Sequence, residues 1–309
     1  MTAPSAQGQA HARREERVGL LYAALCALLG AFTAPISKLN TSLADASFVA
    51  AFATLCGGAF ASVHLAVRGE LALIVRRDLL PGLLGIAFLG TGVAFLLFFE
   101  GAQRSTAIEA ALCLQIEPAY SLLLAWVALA HTPTPARVLA TLAILSGIAI
   151  AIGFETARGS AGVWLLLSTP IAWQLSHLVV LKRLRGAAPP QVLTAARYLY
   201  GGALLLAYWA ASGGLERLPS AESGSTLLFT LPLQGVLLGW AGTFTWYNAI
   251  ARLDLARATS IVVPSVPLLS FATSFLVLGE VATPREWLGL AITAAGVVAF
   301  VRAEGASAS

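Results

Sequence analysis

Apolar residues in this chain neither alternate nor keep to one helical face. They run on for about 20 residues at a time, the length a helix needs to cross a hydrocarbon core of ~30 Å. Reading each run between its flanking charges, glycines and prolines predicts helices at 18–38, 46–67, 80–103, 106–128, 135–154, 160–182, 190–211, 230–252, 256–279 and 284–302. In lipid each segment must satisfy its own backbone hydrogen bonds, so runs of this length are expected as helices. The expected fold class is an all-α integral membrane protein of ten transmembrane helices, with polar tails at 1–17 and 303–309. Arg13-Arg14-Glu15-Glu16-Arg17 ahead of an apolar run resembles the layout of a secretory signal. Because further spans follow, the first run is expected to stay as a helix.

Composition sharpens this. Of 309 residues 58% are hydrophobic, and only 19 basic and 15 acidic residues are present, about half the charge density of a soluble domain. A water-soluble protein is excluded. The net charge of +4 does not point to nucleic acid, because the basic residues sit in short caps between apolar runs and form no stripe. With the N-terminus placed in the cytoplasm, thirteen Lys and Arg fall on the inner side and only Lys38, Arg104, Arg158, Arg217 and Arg285 on the outer, with Arg197 inside a span. The positive-inside rule therefore places both termini in the cytoplasm, as an even number of crossings requires. Cys26, Cys56 and Cys113 lie within apolar runs and read as small buried hydrophobes, and the four His are dispersed. No metal and no cofactor is expected.

Sliding the sequence against itself by 149 positions aligns 89–152 with 238–301 without a gap. Gly90 meets Gly239, Phe95 meets Phe244, Pro118 meets Pro267, Thr134-Pro135 meets Thr283-Pro284, and Gly147 meets Gly296. Shared Leu and Val would follow from apolarity alone, whereas shared Gly and Pro carry backbone meaning. A weaker echo at an offset of 145 sets Leu55-Cys56-Gly57 beside Tyr200-Gly201-Gly202. The expected domains are two five-helix repeats at 18–154 and 160–302. Five is odd, so the second repeat enters the membrane from the opposite side, the geometry of an alternating-access transporter.

With Glu117-Pro118 midway along the fourth helix and Leu278-Gly279-Glu280 followed by Gly289 and Gly296, the chain resembles the drug/metabolite transporter superfamily and, within it, the EamA-type family. The resemblance covers residues 18–302. It implies ten helices in two inverted halves that move small metabolites, commonly outward, without ATP hydrolysis. The chain departs from the family pattern at Leu129-Ala130-His131, where Leu-Gly-Glu is expected, and at Val266-Pro267, where Glu-Pro is expected.

Glu117 lies roughly 16 Å into its helix, near the bilayer midplane. An acid there needs a partner or water, so it reads as a contact for a substrate amine or a proton-coupling group, against a structural acid bonded to backbone freed by Pro118. Glu109, Cys113 and Glu117 share a stripe that Tyr120 extends. Trp173 and His177 are four apart on the sixth helix, with Gln174 alongside. Arg197, roughly 10 Å from the inner surface, either snorkels back to it or pairs with an acid such as Glu117. Trp246 and Tyr247 add aromatic walls to a candidate substrate site made of Glu117, Tyr120, Trp173, His177, Arg197, Trp246 and Tyr247. Pro118, Pro264 and Pro267 are candidate hinges, expected to bend or break the fourth and ninth helices.

The sequence thus predicts a secondary transporter in the cell (inner) membrane, exporting an amino acid or drug-like amine by alternating access. Protons are a candidate coupling ion, and a second copy of the chain a candidate partner. A proton-coupled importer or passive channel is the alternative. An intramembrane enzyme is remote, since the zinc helix H-E-x-x-H, the G-x-S-x-G turn and the P-loop are all missing. Phosphorylated substrates would need more cations than the spans supply.

Overall fold

The computed structural model describes residues 6–130, 132–153, 160–184, 186–253 and 255–308. Its main rods are α1 (Arg13–Leu43), α2 (Ala46–Val67), α3 (Leu80–Gln103), α4 (Ala107–Ala128), α5 (Pro135–Ile152), α6 (Ala161–Leu184), α7 (Pro190–Ala211), α8 (Ala221–Ile250), α9 (Leu255–Leu278) and α10 (Pro284–Ala308). Among the described residues, nine helices are long and apolar enough to cross a membrane. The expected tenth span, α7, falls outside that set; Gln191, Arg197 and three tyrosines dilute its apolar run. Rod α8 starts well before the expected residue 230, because Ser220 caps its first turn by accepting from Ser223 N at 3.2 Å.

Several rods are irregular, and proline explains two of the irregularities. Pro35 has no N–H to give Ala31, α1 turns at Phe32, and the Ala31 carbonyl instead accepts from Ser270 Oγ at 3.1 Å and Thr273 Oγ1 at 2.7 Å. Pro118 likewise leaves Leu114 without its helical donor, and α4 passes through a 3₁₀ turn at Leu114–Ile116. In α3 and α8 the backbone widens into π segments at Phe88–Val93 and Leu233–Ala241. These contain Gly90 and Gly239, which share one position in the repeat.

The expected break in α9 is not observed. Pro264 and Pro267 both lie inside one continuous helix. Each proline removes a single hydrogen bond, and in lipid no water competes for the flanking backbone groups, so the rod persists.

Repeat mates pack on each other through small residues. On α10, Gly296 faces Ala140 and Ile144 of α5, while Gly289 faces Gly147 and Ala151. Rising numbers on one rod meet falling numbers on the other, so α5 and α10 are antiparallel. A Cβ on Gly289 would lie 2.5 Å from the Gly147 carbonyl oxygen, so the two backbones meet where no side chain fits. Mates α2 and α7 behave alike, with Gly58 against Leu199 and Gly202 against Leu55.

Contacts sort the turns to two ends. At the far end, Lys38 Nζ donates to Gln103 O at 2.9 Å, Arg217 Nη1 to Asp45 Oδ2 at 3.1 Å, and Arg285 Nη2 to Ile152 O at 3.1 Å. At the near end, Glu15 pairs with Arg252 at 3.2 Å and Glu16 with Arg257 at 2.6 Å, while Gln191 Nε2 donates to Glu70 at 2.9 Å. An apolar cluster that includes Leu65, Leu79, Leu83, Leu184 and Val192 packs the α2–α3 and α6–α7 turns at this end.

Candidate functional site

A cavity of about 570 Å³ lies among α1, α2, α3, α4, α6, α7 and α8. Val180, Leu193, Thr194 and Trp246 lie within about one helical turn of the near ends of their rods and line it. On the side of the far end its lining includes Phe98, Phe99 and Gln234, all buried. There Asn40 Nδ2 donates to Gln234 Oε1 and Gln234 Nε2 to Ser37 Oγ, both at 2.6 Å, which joins α1 to α8.

Glu117 reaches the cavity because the helix restarts at that residue after the 3₁₀ turn. Gln174 Nε2 donates to its Oε1 at 2.9 Å. Trp173 and His177 line the same space from α6, and His177 is exposed within it. From α7 come Arg197, whose Nη2 donates to the Gly90 carbonyl at 2.7 Å, and Tyr198 beside it. Glu117, His177 and Tyr198 line the same chamber as Arg197. The Arg197 side chain crosses to α3 and does not run back along α7.

Not every expected residue converges here. Tyr120, one turn further along the restarted helix, is half-buried but does not line the cavity. The side chain of Tyr247 lies outside the described residues. Pro118, Pro264 and Pro267 do not line the cavity. Cys113 is in the apolar core, and Glu109 closes a capping box with Thr106, each taking the other's backbone N–H. Sequence reasoning missed the Phe95, Phe98 and Phe99 wall, Gln234 and the role of Gly90; the shared position of Gly90 and Gly239 was the available signal. Among the described residues no group of His, Cys, Asp or Glu is gathered for a metal ion.

One cap outside the cavity was also missed. The Glu280 carboxylate accepts from Ala107 N at 3.1 and 3.0 Å and from Ile108 N at 3.3 Å. The end of α9 thereby holds the start of α4 at the far end, where the helix dipole favours negative charge.

A bundle of apolar helices around a chamber with an acid, a guanidinium and aromatic walls defines a multi-pass membrane protein with an internal cavity. The family follows from the comparisons. The chain belongs to the EamA-like transporter family, whose model matches residues 17–153 and again 160–302, and through it to the drug/metabolite transporter superfamily. A protein of Streptantibioticus cattleyicolor described as a probable terminal-alkyne amino-acid exporter is 30% identical over 246 residues, covering 78% of this chain and 80% of the relative. A solved structure described only as the crystal structure of a protein matches 94% of this chain and 99% of its own, with TM-score 0.63 and 19% identity, which bears on the fold. The chain is thus a membrane transporter with a small-molecule substrate, in a lipid environment.

Proposed function

We propose that the protein exports a small amino-bearing organic solute, an amino acid or related amine, from the cytoplasm by alternating access. The cavity carries this reading. It reaches towards the end where Arg68, Arg76, Arg77, Lys182, Arg183, Arg252 and Arg257 cluster, which the positive-inside rule assigns to the cytoplasm. Towards the far end the Glu280 cap and the Asn40–Gln234–Ser37 bonds tie the rods together, and this supports a chamber less accessible from that side. The chamber is therefore poised to receive a solute from inside, and the relative's description as an amino-acid exporter supports the direction.

Glu117 is the proposed contact for the amine and the candidate proton-coupling acid, with His177 beside it and Trp173 and Trp246 as walls. The antiparallel mates α5/α10 and α2/α7 support two inverted repeats, at 18–154 and 160–302, that exchange shapes about an in-plane axis. Ten crossings with both termini cytoplasmic in the inner membrane complete the proposal.

The test is counterflow in proteoliposomes. Preloading with unlabelled amino acid is expected to accelerate uptake of the labelled form, saturably. Voltage-driven current without trans-acceleration would instead establish the channel reading.

A further inference from the structure

The turn in α1 has more polar atoms around it than the turn itself needs. Pro35 frees one backbone acceptor, the Ala31 carbonyl, and two hydroxyls of α9 donate to it, Ser270 Oγ at 3.1 Å and Thr273 Oγ1 at 2.7 Å. A carbonyl oxygen has two lone pairs, so Ala31 needs nothing more. A third hydroxyl, that of Ser274, stands one turn beyond Ser270 on the same face of the unbroken α9. It is fully buried, and among the described residues it has no hydrogen-bond partner. A buried hydroxyl left unmatched costs free energy and calls for a partner.

At the offset of 149 Ser270 matches Ser121, but Thr273 and Ser274 match Leu124 and Ala125. The hydroxyl triad therefore belongs to α9 alone, and the shared architecture of the repeats does not explain it. Gly30 and Thr33, on either side of the Ala31–Phe32 turn, line the cavity, so the turn lies at the chamber wall. A helix opened at its backbone and faced by polar oxygens of a neighbour can hold an alkali cation inside a membrane. Carbonyl and hydroxyl oxygens are hard and neutral, which suits such an ion and not a transition metal. Without a carboxylate among them a divalent ion would be left with both charges uncompensated. Oxygens as close as 2.7 and 3.1 Å enclose a small ion better than a large one.

We propose that the Ala31 carbonyl with the hydroxyls of Ser270, Thr273 and Ser274 forms a sodium-binding site that ties α1 of the first repeat to α9 of the second. The ion replaces the two hydroxyl donors on the carbonyl, and each hydroxyl turns its proton away and presents its oxygen. Thr273 Oγ1 already lies 3.2 Å from Ser270 O, the acceptor to which its proton turns. Ser274 gains the partner it otherwise lacks, and water from the chamber completes the shell. The site depends on the α1–α9 contact and stands whatever solute the chamber carries.

The experiment uses purified full-length protein and radiolabelled sodium, with choline chloride holding the ionic strength constant. Binding to the wild type is expected to saturate at about one ion per chain and to be displaced by unlabelled Na+ about 10-fold more effectively than by K+. Sodium is also expected to raise the melting temperature by about 2–4 °C over choline. Ser274→Ala removes a hydroxyl that holds nothing else in the protein, so its melting in choline is expected to match the wild type while its sodium affinity falls about 10-fold. Thr273→Val is expected to lose sodium affinity as well, and Ser121→Ala, at the position of α4 that matches Ser270, to change neither binding nor the sodium-induced shift. If Thr273→Val does not fold, Ser274→Ala and Ser121→Ala decide the matter. Wild-type protein that binds no labelled sodium above the choline background, K+ displacing it as well as Na+ does, or Ser274→Ala binding it with unchanged affinity overturns the site.

Discussion

Rods α4 and α9 occupy the same place in the two repeats, yet they are built differently. Pro118 and Pro267 coincide at the offset of 149, but α4 is interrupted by a 3₁₀ turn while α9 runs unbroken. The residue before each proline is Glu117 in one and Val266 in the other. Glu117 lines the cavity, whereas Val266 packs against α1, where a Cβ on Gly30 would come within 3.0 Å of it. Their starts differ as well. The first turn of α4 is closed by Thr106, Glu109 and the Glu280 carboxylate, while the α9 side carries Arg257 paired with Glu16. Duplication thus placed a proline in both rods, and divergence of the residue before it put a cavity-lining carboxylate on α4 and an apolar packing residue on α9.

The largest effect is expected at the acid itself. Glu117→Gln preserves shape and leaves an oxygen for Gln174, but removes the charge, so transport of amino-bearing solutes is expected to fall about 10- to 100-fold. If Glu117 is the coupling acid, the residual rate is also expected to lose its pH dependence between about 5 and 8. A variant whose rates equal those of the wild type at each pH, pH dependence included, would remove Glu117 from both roles and with it the contrast between α4 and α9.

The prolines come next. Pro118→Ala restores a donor to Leu114, which is expected to straighten α4, rotate Glu117 and raise KM. Pro267→Ala gives Val263 a donor in a rod that is already continuous, stabilising this conformation by about 1 kcal/mol and slowing turnover about five-fold, with KM little changed. Steady-state counterflow separates the two. Identical KM and turnover effects from both variants would mean that the rods play interchangeable parts in this conformation.

How much of this was readable beforehand follows the scale of the forces involved. Hydrophobic runs report on lipid directly, so the rods, the duplication and the family were visible in Pro118/Pro267 and Gly147/Gly296. Depth along a helix was visible too, which brought Glu117, Trp173, His177 and Trp246 into consideration. Backbone irregularity was not. A π segment leaves no fixed residue signature, so the Gly90–Arg197 bond could not be foreseen, and the same regularity assumption put Glu109 and Cys113 on one stripe with Glu117 although the 3₁₀ turn between them resets the helix phase. Proline alone does not reveal whether a membrane helix breaks, because neighbours decide. Glu280 was noticed as a family letter, but its partners lie across the repeats at Ala107 and Ile108, a contact no local pattern contains.

The two helix starts give the smaller effects. Glu280→Gln keeps an acceptor for one or two of the α4 N–H groups but removes the charge facing the helix dipole, and is expected to weaken far-end closure by about 1 kcal/mol. A lower melting temperature of the purified protein, with greater labelling of a Cys placed at Ser105, would register it. Glu16→Gln at the other start breaks an ion pair whose side chains are 46% and 43% exposed, worth about 0–1 kcal/mol and screened by salt. Its effect on melting is expected to be the smallest and to vanish in about 0.5 M NaCl, where the Debye length is only a few ångströms. The Glu280→Gln effect is expected to persist there, because direct hydrogen bonds to backbone N–H groups are screened far less than an exposed pair. If salt abolished both effects equally, the Glu280 contact would be only another surface attraction, and the two ends of the bundle would be held by the same kind of force.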